Sequence, residues 1–158
     1  MDPLRRPEIL LAAILACGCF GGGGDGAPSS PSPKLDPREV IGFSERIETF
    51  YAALENVPLD AVTTFEKPQL RSYFASDASF MDYYSSIANQ VRWANMRNTR
   101  PLRVVVSKFH FETPDVARVG VMFRGPYQRT LRFWDVELER EDTWKRLDGV
   151  WLLAPDKL

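Results

Sequence analysis

The sequence is short of the side chains that hold metals and move protons. It has one histidine, His110, and two cysteines, Cys17 and Cys19. A four-ligand zinc site of the usual histidine and cysteine kind cannot be built from that stock. No cysteine follows residue 19, so the region beyond it has no internal disulfide and must be stabilised by packing. Neither sign of charge is in excess: 20 Lys and Arg face 21 Asp and Glu, for a net charge of −1. That balance lacks the basic footprint of a nucleic-acid binder. No apolar run approaches the ~20 residues that a membrane-crossing helix needs. The stretch Gly21–Gly24 precedes neither a strand nor a helix, so it is no phosphate cradle. No serine elbow is present in the rest. No cofactor and no metal are implied.

What is present begins with an address. Arg5 and Arg6 precede a short apolar run, Ile9–Ala16, which ends in small residues. This is the layout of a secretory signal rather than of a membrane span. Ile14-Leu15-Ala16-Cys17 resembles the lipobox of bacterial lipoproteins. The resemblance implies cleavage before Cys17, a diacylglycerol on its thiol, and attachment to a membrane through that lipid. Leu15 is a less usual residue at its position of the box. The alternative is an ordinary cut nearby, which would release a soluble secreted protein. Residues 1–16 are then the signal peptide, and 17–35 the lipidated cysteine and a Gly/Ser/Pro tether with little to bury. A flexible chain of that length reaches roughly 25 Å. Gly18, where an aspartate would favour the inner membrane, leans the expectation to the outer one. Cys19 is open between a disulfide to another chain, acylation and no role.

Residues 36–158 carry the folded domain. Asp36-Pro37-Arg38-Glu39 reads as a capped helix start. Val40, Phe43, Ile47, Phe50, Tyr51 and Leu54 then recur at spacings of three and four, which predicts a helix over about 37–56. Residues 59–66 read as a loop or a single helical turn. A short helix is expected over 68–75, with Leu70, Tyr73 and Phe74 inward. A third is expected from a cap at Asp77 to about Asn98, with Phe80, Tyr84, Ile87, Val91 and Ala94 on its stripe. After Pro101 the period changes to two. Strands are expected at 102–112, 116–124 and 129–141. Asp148-Gly149, between two apolar arms, is a hairpin turn.

Helices followed by an antiparallel sheet make an α+β order. The closing Trp144–Leu153 segment and the long first helix resemble the nuclear transport factor 2-like superfamily over about residues 37–155. The resemblance implies three N-terminal helices packed on a curved antiparallel sheet, a cone often holding a pocket, and frequent dimers. A cystatin-like helix-on-sheet fold is the alternative architecture.

Tight pairing about 125–128 sets Val119 opposite Trp134, Val121 opposite Arg132 and Phe123 opposite Thr130. Pairing about 113–115 sets Phe111 opposite Ala117 and Phe109 opposite Val119. Val105, Phe109, Phe111, Trp134, Arg132, Trp144, Arg146 and Trp151 then face the helices. His110 falls outside, near Arg118, as a surface histidine. Arg118 is expected to pair with Asp135, and Phe133 to cover Gly120. Asp135, Glu137, Glu139 and Glu141 alternate as a solvated face. Val104, Val106, Met122, Leu131 and Phe133 gather on the outer face as an apolar patch, the expected surface for a homodimer or an envelope partner.

Tyr51, Tyr84, Trp134, Arg132, Arg146 and Trp151 form the expected ligand-binding set, the two arginines suiting an anionic group. Tyr51, Tyr73 and Tyr84 are core-facing tyrosines whose hydroxyls could rim a pocket. No carboxylate is placed beside them. Asp82 and Asp142 are the nearest guesses, and no residue is assigned as catalytic. Arg92, Arg97, Arg100 and Arg103, with Trp93, suggest a contact with anionic lipid headgroups. The expectation is a membrane-anchored envelope lipoprotein with a non-catalytic cone that binds a small apolar ligand or a protein. The alternatives are an enzyme of the ketosteroid isomerase or dehydratase type, and a structural subunit of an envelope assembly.

Overall fold

A computed structural model describes residues 35–129 and 134–155. Helices α1 (Pro37–Ala52), α2 (Val62–Phe65), α3 (Pro68–Arg71) and α4 (Asp77–Trp93) come first, then a 3₁₀ turn, Arg97–Thr99. Strands β1 (Arg103–Thr113), β2 (Val116–Pro126), β3 (Asp135–Leu147) and β4 (Val150–Leu153) follow. They form one antiparallel sheet in the order β1-β2-β3-β4. The class is α+β, with helices on one face of the sheet.

The α1 stripe is buried as expected, at Phe43, Ile47, Phe50 and Tyr51, and Leu54 is buried just beyond the helix. The Asp36 carboxylate accepts from the Arg38 N–H at 2.8 Å, with Pro37 opening the helix. Glu39 does not close a capping box. Its carboxylate accepts from Arg146 at 2.9 Å instead. Three helices were expected, and the structure has two long ones and two of a single turn. The expected 68–75 helix shrinks to α3, although Leu70, Tyr73 and Phe74 are buried. The cap of α4 is Ser76 rather than Asp77: Ser76 and Ser79 exchange side-chain bonds to each other's backbone N–H. Asp77 instead binds Arg71. The helix stops at Trp93, short of Asn98, where Asn95, Asn98 and Thr99 take φ near +55°, +55° and +50°. Left-handed residues cannot continue a right-handed helix.

The β1–β2 hairpin has the expected register, Phe109 opposite Val119 and Phe111 opposite Ala117. It differs in one respect that reverses a prediction. Val106 pairs with Val121 but Lys108 pairs with Gly120, so Ser107 is an extra residue, a bulge. Before the bulge the even residues face the helices, and after it the odd ones do. Val104 is therefore in the core, and Val106 packs half-buried against it, as Phe109 and Phe111 do. Val105, expected inside, pairs with Met122 on the outer face. The predicted apolar outer patch loses Val104 and Val106 for this reason, and Leu131 and Phe133 lie outside the described residues. Ser107 and Lys108 cover Gly120, where the sequence suggested Phe133.

The β2–β3 register is displaced by eight residues from the expectation. Val119 faces Asp142, Val121 faces Arg140 and Phe123 faces Leu138. The connection is longer than a tight turn, and β3 begins only at Asp135. Trp134 therefore leaves the core: it is 50% exposed and stacks on Tyr127 at 5.6 Å. Arg132 lies outside the described residues. The displacement is even, so the parity of β3 survives and Trp144 is buried as expected. Arg118 pairs with Glu112 at 2.9 Å rather than with Asp135, which Arg124 holds. The Asp148-Gly149 turn closes β3 onto β4 with both residues left-handed, which matches the right-handed twist of the strands.

Aromatic rings fill the concave side. Phe43 touches Phe109, Phe111, Trp144 and Trp151 at centroid distances of 4.7–6.1 Å. Phe111 and Trp151 stand on opposite edge strands, yet their rings are 5.7 Å apart. Flat strands would set those edges roughly 14 Å apart, so the sheet curls and the rings lean together. Deleting Ser107 would remove the bulge and turn either Val104 and Val106 or Phe109 and Phe111 outward. Phe109 and Phe111 are half-buried, so turning the pair outward forfeits a good part of the roughly 3–5 kcal/mol that a fully buried Phe is worth, and the deletion variant should lose several degrees or more of melting temperature by circular dichroism. Ser107→Ala should melt within a few degrees of the parent.

Candidate functional site

The curl brings one carboxylate inside. Asp142 is 3% exposed and lies on the inward face of β3, next to Trp144 along the strand. Its Oδ2 accepts from the Tyr51 hydroxyl of α1 at 2.7 Å and from the Tyr83 hydroxyl of α4 at 3.2 Å. Its Oδ1 accepts from Arg140 Nε at 2.7 Å, and a second guanidinium nitrogen lies at 2.6 Å. Trp144 Nε1 donates to the Tyr51 oxygen at 3.3 Å, and Arg140 donates to Gln90 Oε1 at 3.2 Å. The Arg140 guanidinium also lies over the Tyr83 ring, 4.8 Å from its centre. Among the described residues no buried side-chain polar atom lacks a partner.

The electrostatics follow from burial and one charge pair. Burial pushes the Tyr51 and Tyr83 hydroxyls well above the usual phenol value, and the negative charge of Asp142 adds to this. Burial weakens the Arg140 charge, but the Asp142 carboxylate, with Tyr83 and Tyr51 adding to it, more than offsets this and raises its pKa. Both phenols are thus proton donors locked onto a carboxylate that a guanidinium neutralises. A general base needs lone pairs open to substrate, and those of Asp142 are directed at protein donors. Clefts open on either side of the cluster. One of about 340 Å³ is lined by Tyr51, Glu55 and Arg103–Val106, and one of about 280 Å³ by Arg140, Ser107 and Lys108. Asp142 lines neither.

Of the expected ligand set, Arg146 and Trp151 meet. They line an open cleft of about 530 Å³ between α1 and the β3–β4 hairpin, with Glu39, Phe43, Arg46 and Val150. Its floor is apolar, Phe43 against Trp151, and its rim carries two guanidinium groups. Arg46 donates to the Trp151 carbonyl at 2.6 Å and stacks on Tyr73 at 4.5 Å. Arg146 is held by Glu39 at 2.9 Å and approached by Asp115 at 3.6 Å. The anionic group that Arg146 was expected to suit is thus supplied within the protein, by Glu39. Tyr51 is in the buried cluster, and Tyr84 is apart, donating to the Asp60 carbonyl at 2.7 Å. Trp134 is remote from both places. Met122 is half-buried on the outer face, His110 is exposed there, and Asp82 is half-buried on α4. Cys17 lies outside the described residues.

Sequence reasoning missed Tyr83 and Arg140, and it named Asp142 only as one of two guesses, with Asp82, for a carboxylate beside the tyrosines. Two signals were available. Tyr83 is three residues from Phe80 and four from Ile87, so it fits the stripe as well as Tyr84 does. Residues 138, 140, 142 and 144 share a strand face once 129–141 and 144–147 are read as one strand. No known protein family, curated protein or solved structure matches the chain.

Asp142→Ala leaves the buried Arg140 charge unpaired and should cost about 3–5 kcal/mol in urea unfolding. Asp142→Leu with Arg140→Met should recover most of that loss. The raised phenols also set an alkaline limit. In the folded state Tyr51 and Tyr83 keep protons that the unfolded chain loses above about pH 10. Their contribution is complete below pH 10 and is lost as pH rises through that value, at roughly 1.4 kcal/mol per pH unit for each group. Absorbance at 295 nm should show these two ionising only with unfolding, while Tyr51→Phe should remove one such step.

Proposed function

We propose that the chain is a bacterial envelope lipoprotein, held to the membrane by a lipid on Cys17. Its domain is a non-catalytic binding module of the nuclear transport factor 2-like cone type. The observation that favours binding over catalysis is the saturation of Asp142. The one carboxylate placed among tyrosines on the inward face is bonded by Arg140, Tyr51 and Tyr83 together, which suits holding the fold more than proton transfer. The cleft between α1 and the hairpin is the better receptor. Its Phe43–Trp151 floor suits an apolar body, and Arg46 and Arg146 suit an acidic end that competes with Glu39.

A second reading has an observation of its own. The Tyr51–Asp142–Tyr83 arrangement supplies the phenol and carboxyl groups that an isomerase or dehydratase uses. That reading requires a substrate to displace a hydroxyl from Asp142.

Two measurements test the main reading. Mass spectrometry of the mature protein should find Cys17 as a diacylglyceryl-modified first residue, and Cys17→Ala should leave the lipid off. A lipid-free N-terminus beyond Cys17 would defeat the anchor. For the cleft, Gly42→Phe is a plug: an added Cβ at Gly42 meets nothing within 4 Å. Native mass spectrometry should show a bound small molecule on the parent and none on the plugged variant, with melting temperature unchanged or slightly raised. A bound mass that persists in the plugged variant would move the site elsewhere.

A further inference from the structure

The end of the domain opposite the Asp148-Gly149 turn is basic and greasy together. It is built from three pieces of chain. The 94–102 segment is fastened to β2 and its extension: Gln128 N–H donates to the Asn95 carbonyl at 2.8 Å, and Leu102 N–H to the Arg124 carbonyl at 2.8 Å. Met96 bridges to Tyr127, and its side chain sits against Gly125, where an added Cβ would lie 2.9 Å from it. Tyr127 in turn stacks on Trp134 at the start of β3. The fastening imposes left-handed backbone at Asn95, Asn98 and Thr99, the last a β-branched residue. The strain is held by Asp60, which accepts from the Thr99 hydroxyl, and by Leu59 N–H donating to the Thr99 carbonyl at 3.0 Å.

The result is a rigid presentation of side chains that a soluble surface has no use for. Trp93 is 85% exposed and Leu102 53% exposed. Around them stand Arg97, Arg100, Arg103 and Arg129, all exposed. None of the four has a salt bridge to an acid among the described residues. Arg92 and Arg124 at the same end do, with Asp60 and with Asp135 and Glu137. The chain as a whole carries a net charge of −1, so four uncompensated cations at one end are a local polarity that composition conceals. Tryptophan and arginine together suit the headgroup layer: the indole sits at the apolar boundary and the guanidinium groups meet phosphates.

We infer that this end, Trp93 and Leu102 with Arg97, Arg100, Arg103 and Arg129, is the face by which the domain lies on an anionic lipid bilayer. The inference builds on the tethered-lipoprotein reading. A tether gives reach, and this face gives orientation. Laid down this way, the domain turns its hairpin end and the mouth of the α1–hairpin cleft away from the bilayer. The two acyl chains of a diacylglyceryl cysteine already hold a chain at a membrane, so the basic face is not needed for attachment and serves to fix which side of the domain meets the bilayer.

The test uses the full chain carrying Cys17→Ala, so that no acyl anchor is needed and its outcome stands apart from that of the lipidation experiment. Vesicles contain brominated acyl chains and either 30% phosphatidylglycerol (about one lipid in three, enough for a strong surface potential) or neutral phosphatidylcholine alone. Quenching assigned to Trp93, by difference from a Trp93→Phe variant, is the readout. Any binding through residues 1–16 is common to all variants and cancels. Quenching of Trp93 is expected on anionic vesicles. It should fall at least fivefold on neutral ones. It should also fall at least fivefold in the variant with Arg97, Arg100, Arg103 and Arg129 all changed to Glu. These residues are exposed, and an unchanged near-ultraviolet circular dichroism spectrum certifies the fold of each variant. Absence of Trp93 quenching, or equal quenching in the four-Glu variant, overturns the inference. A Trp93 response to soluble heparin without any response to vesicles also overturns it, in favour of an anionic polymer.

Discussion

The Arg140–Asp142 pair, with its two tyrosines, is the joint on which the domain turns. Tyr51 comes from α1, Tyr83 and Gln90 from α4, and the charge pair from β3. Both long helices are thereby fastened to the middle of the sheet by hydrogen bonds made inside an aromatic core. Buried polar networks of this kind are costly when incomplete and specific when complete. This one is complete, so the helices have one seating on the sheet rather than several of similar hydrophobic energy.

Around that joint the sheet is curled by a local device. The bulge at Ser107 lets β1 present Val104 and Val106 at one end and Phe109 and Phe111 at the other to the same core. Without it the strand would have to choose between the two pairs. The curl in turn lets β1 and β4 share Phe43 between Phe111 and Trp151. The β4 edge is covered where Leu153 N–H donates to the Tyr73 carbonyl. The aromatic content of the chain is thus spent mostly on closing the concave side. What the fold leaves open lies at its margins, the α1–hairpin cleft and the arginine-rich end.

Much of the architecture was legible in the sequence. The spacing of Phe43, Ile47, Phe50 and Tyr51 identifies α1 because a helix repeats every 3.6 residues. Asp148-Gly149 identifies its hairpin because both central residues must be left-handed. The Phe109–Val119 register follows from the short turn at Pro114-Asp115. The β2–β3 connection was misjudged because Gly125-Pro126 looks like a turn. In the structure Gly125 is instead a bare strand position that admits Met96. The site suffered most from that error. Trp134 and Asp142 exchanged roles, since a displacement of eight residues kept each on its predicted parity but moved one to the rim and the other to the centre.

The sequence by itself determined the class of elements, their order and, over most of the sheet, which parity faces the helices. These are local matters of period, caps and turn chemistry. Tertiary structure alone decided where the period breaks and which residues meet across distance. The bulge at Ser107, the Tyr51–Asp142–Tyr83 convergence and the gathering of Arg97, Arg100, Arg103 and Arg129 at one end all depend on strand pairing and helix seating. Those are set by packing over the whole domain, and no window of neighbouring residues contains them.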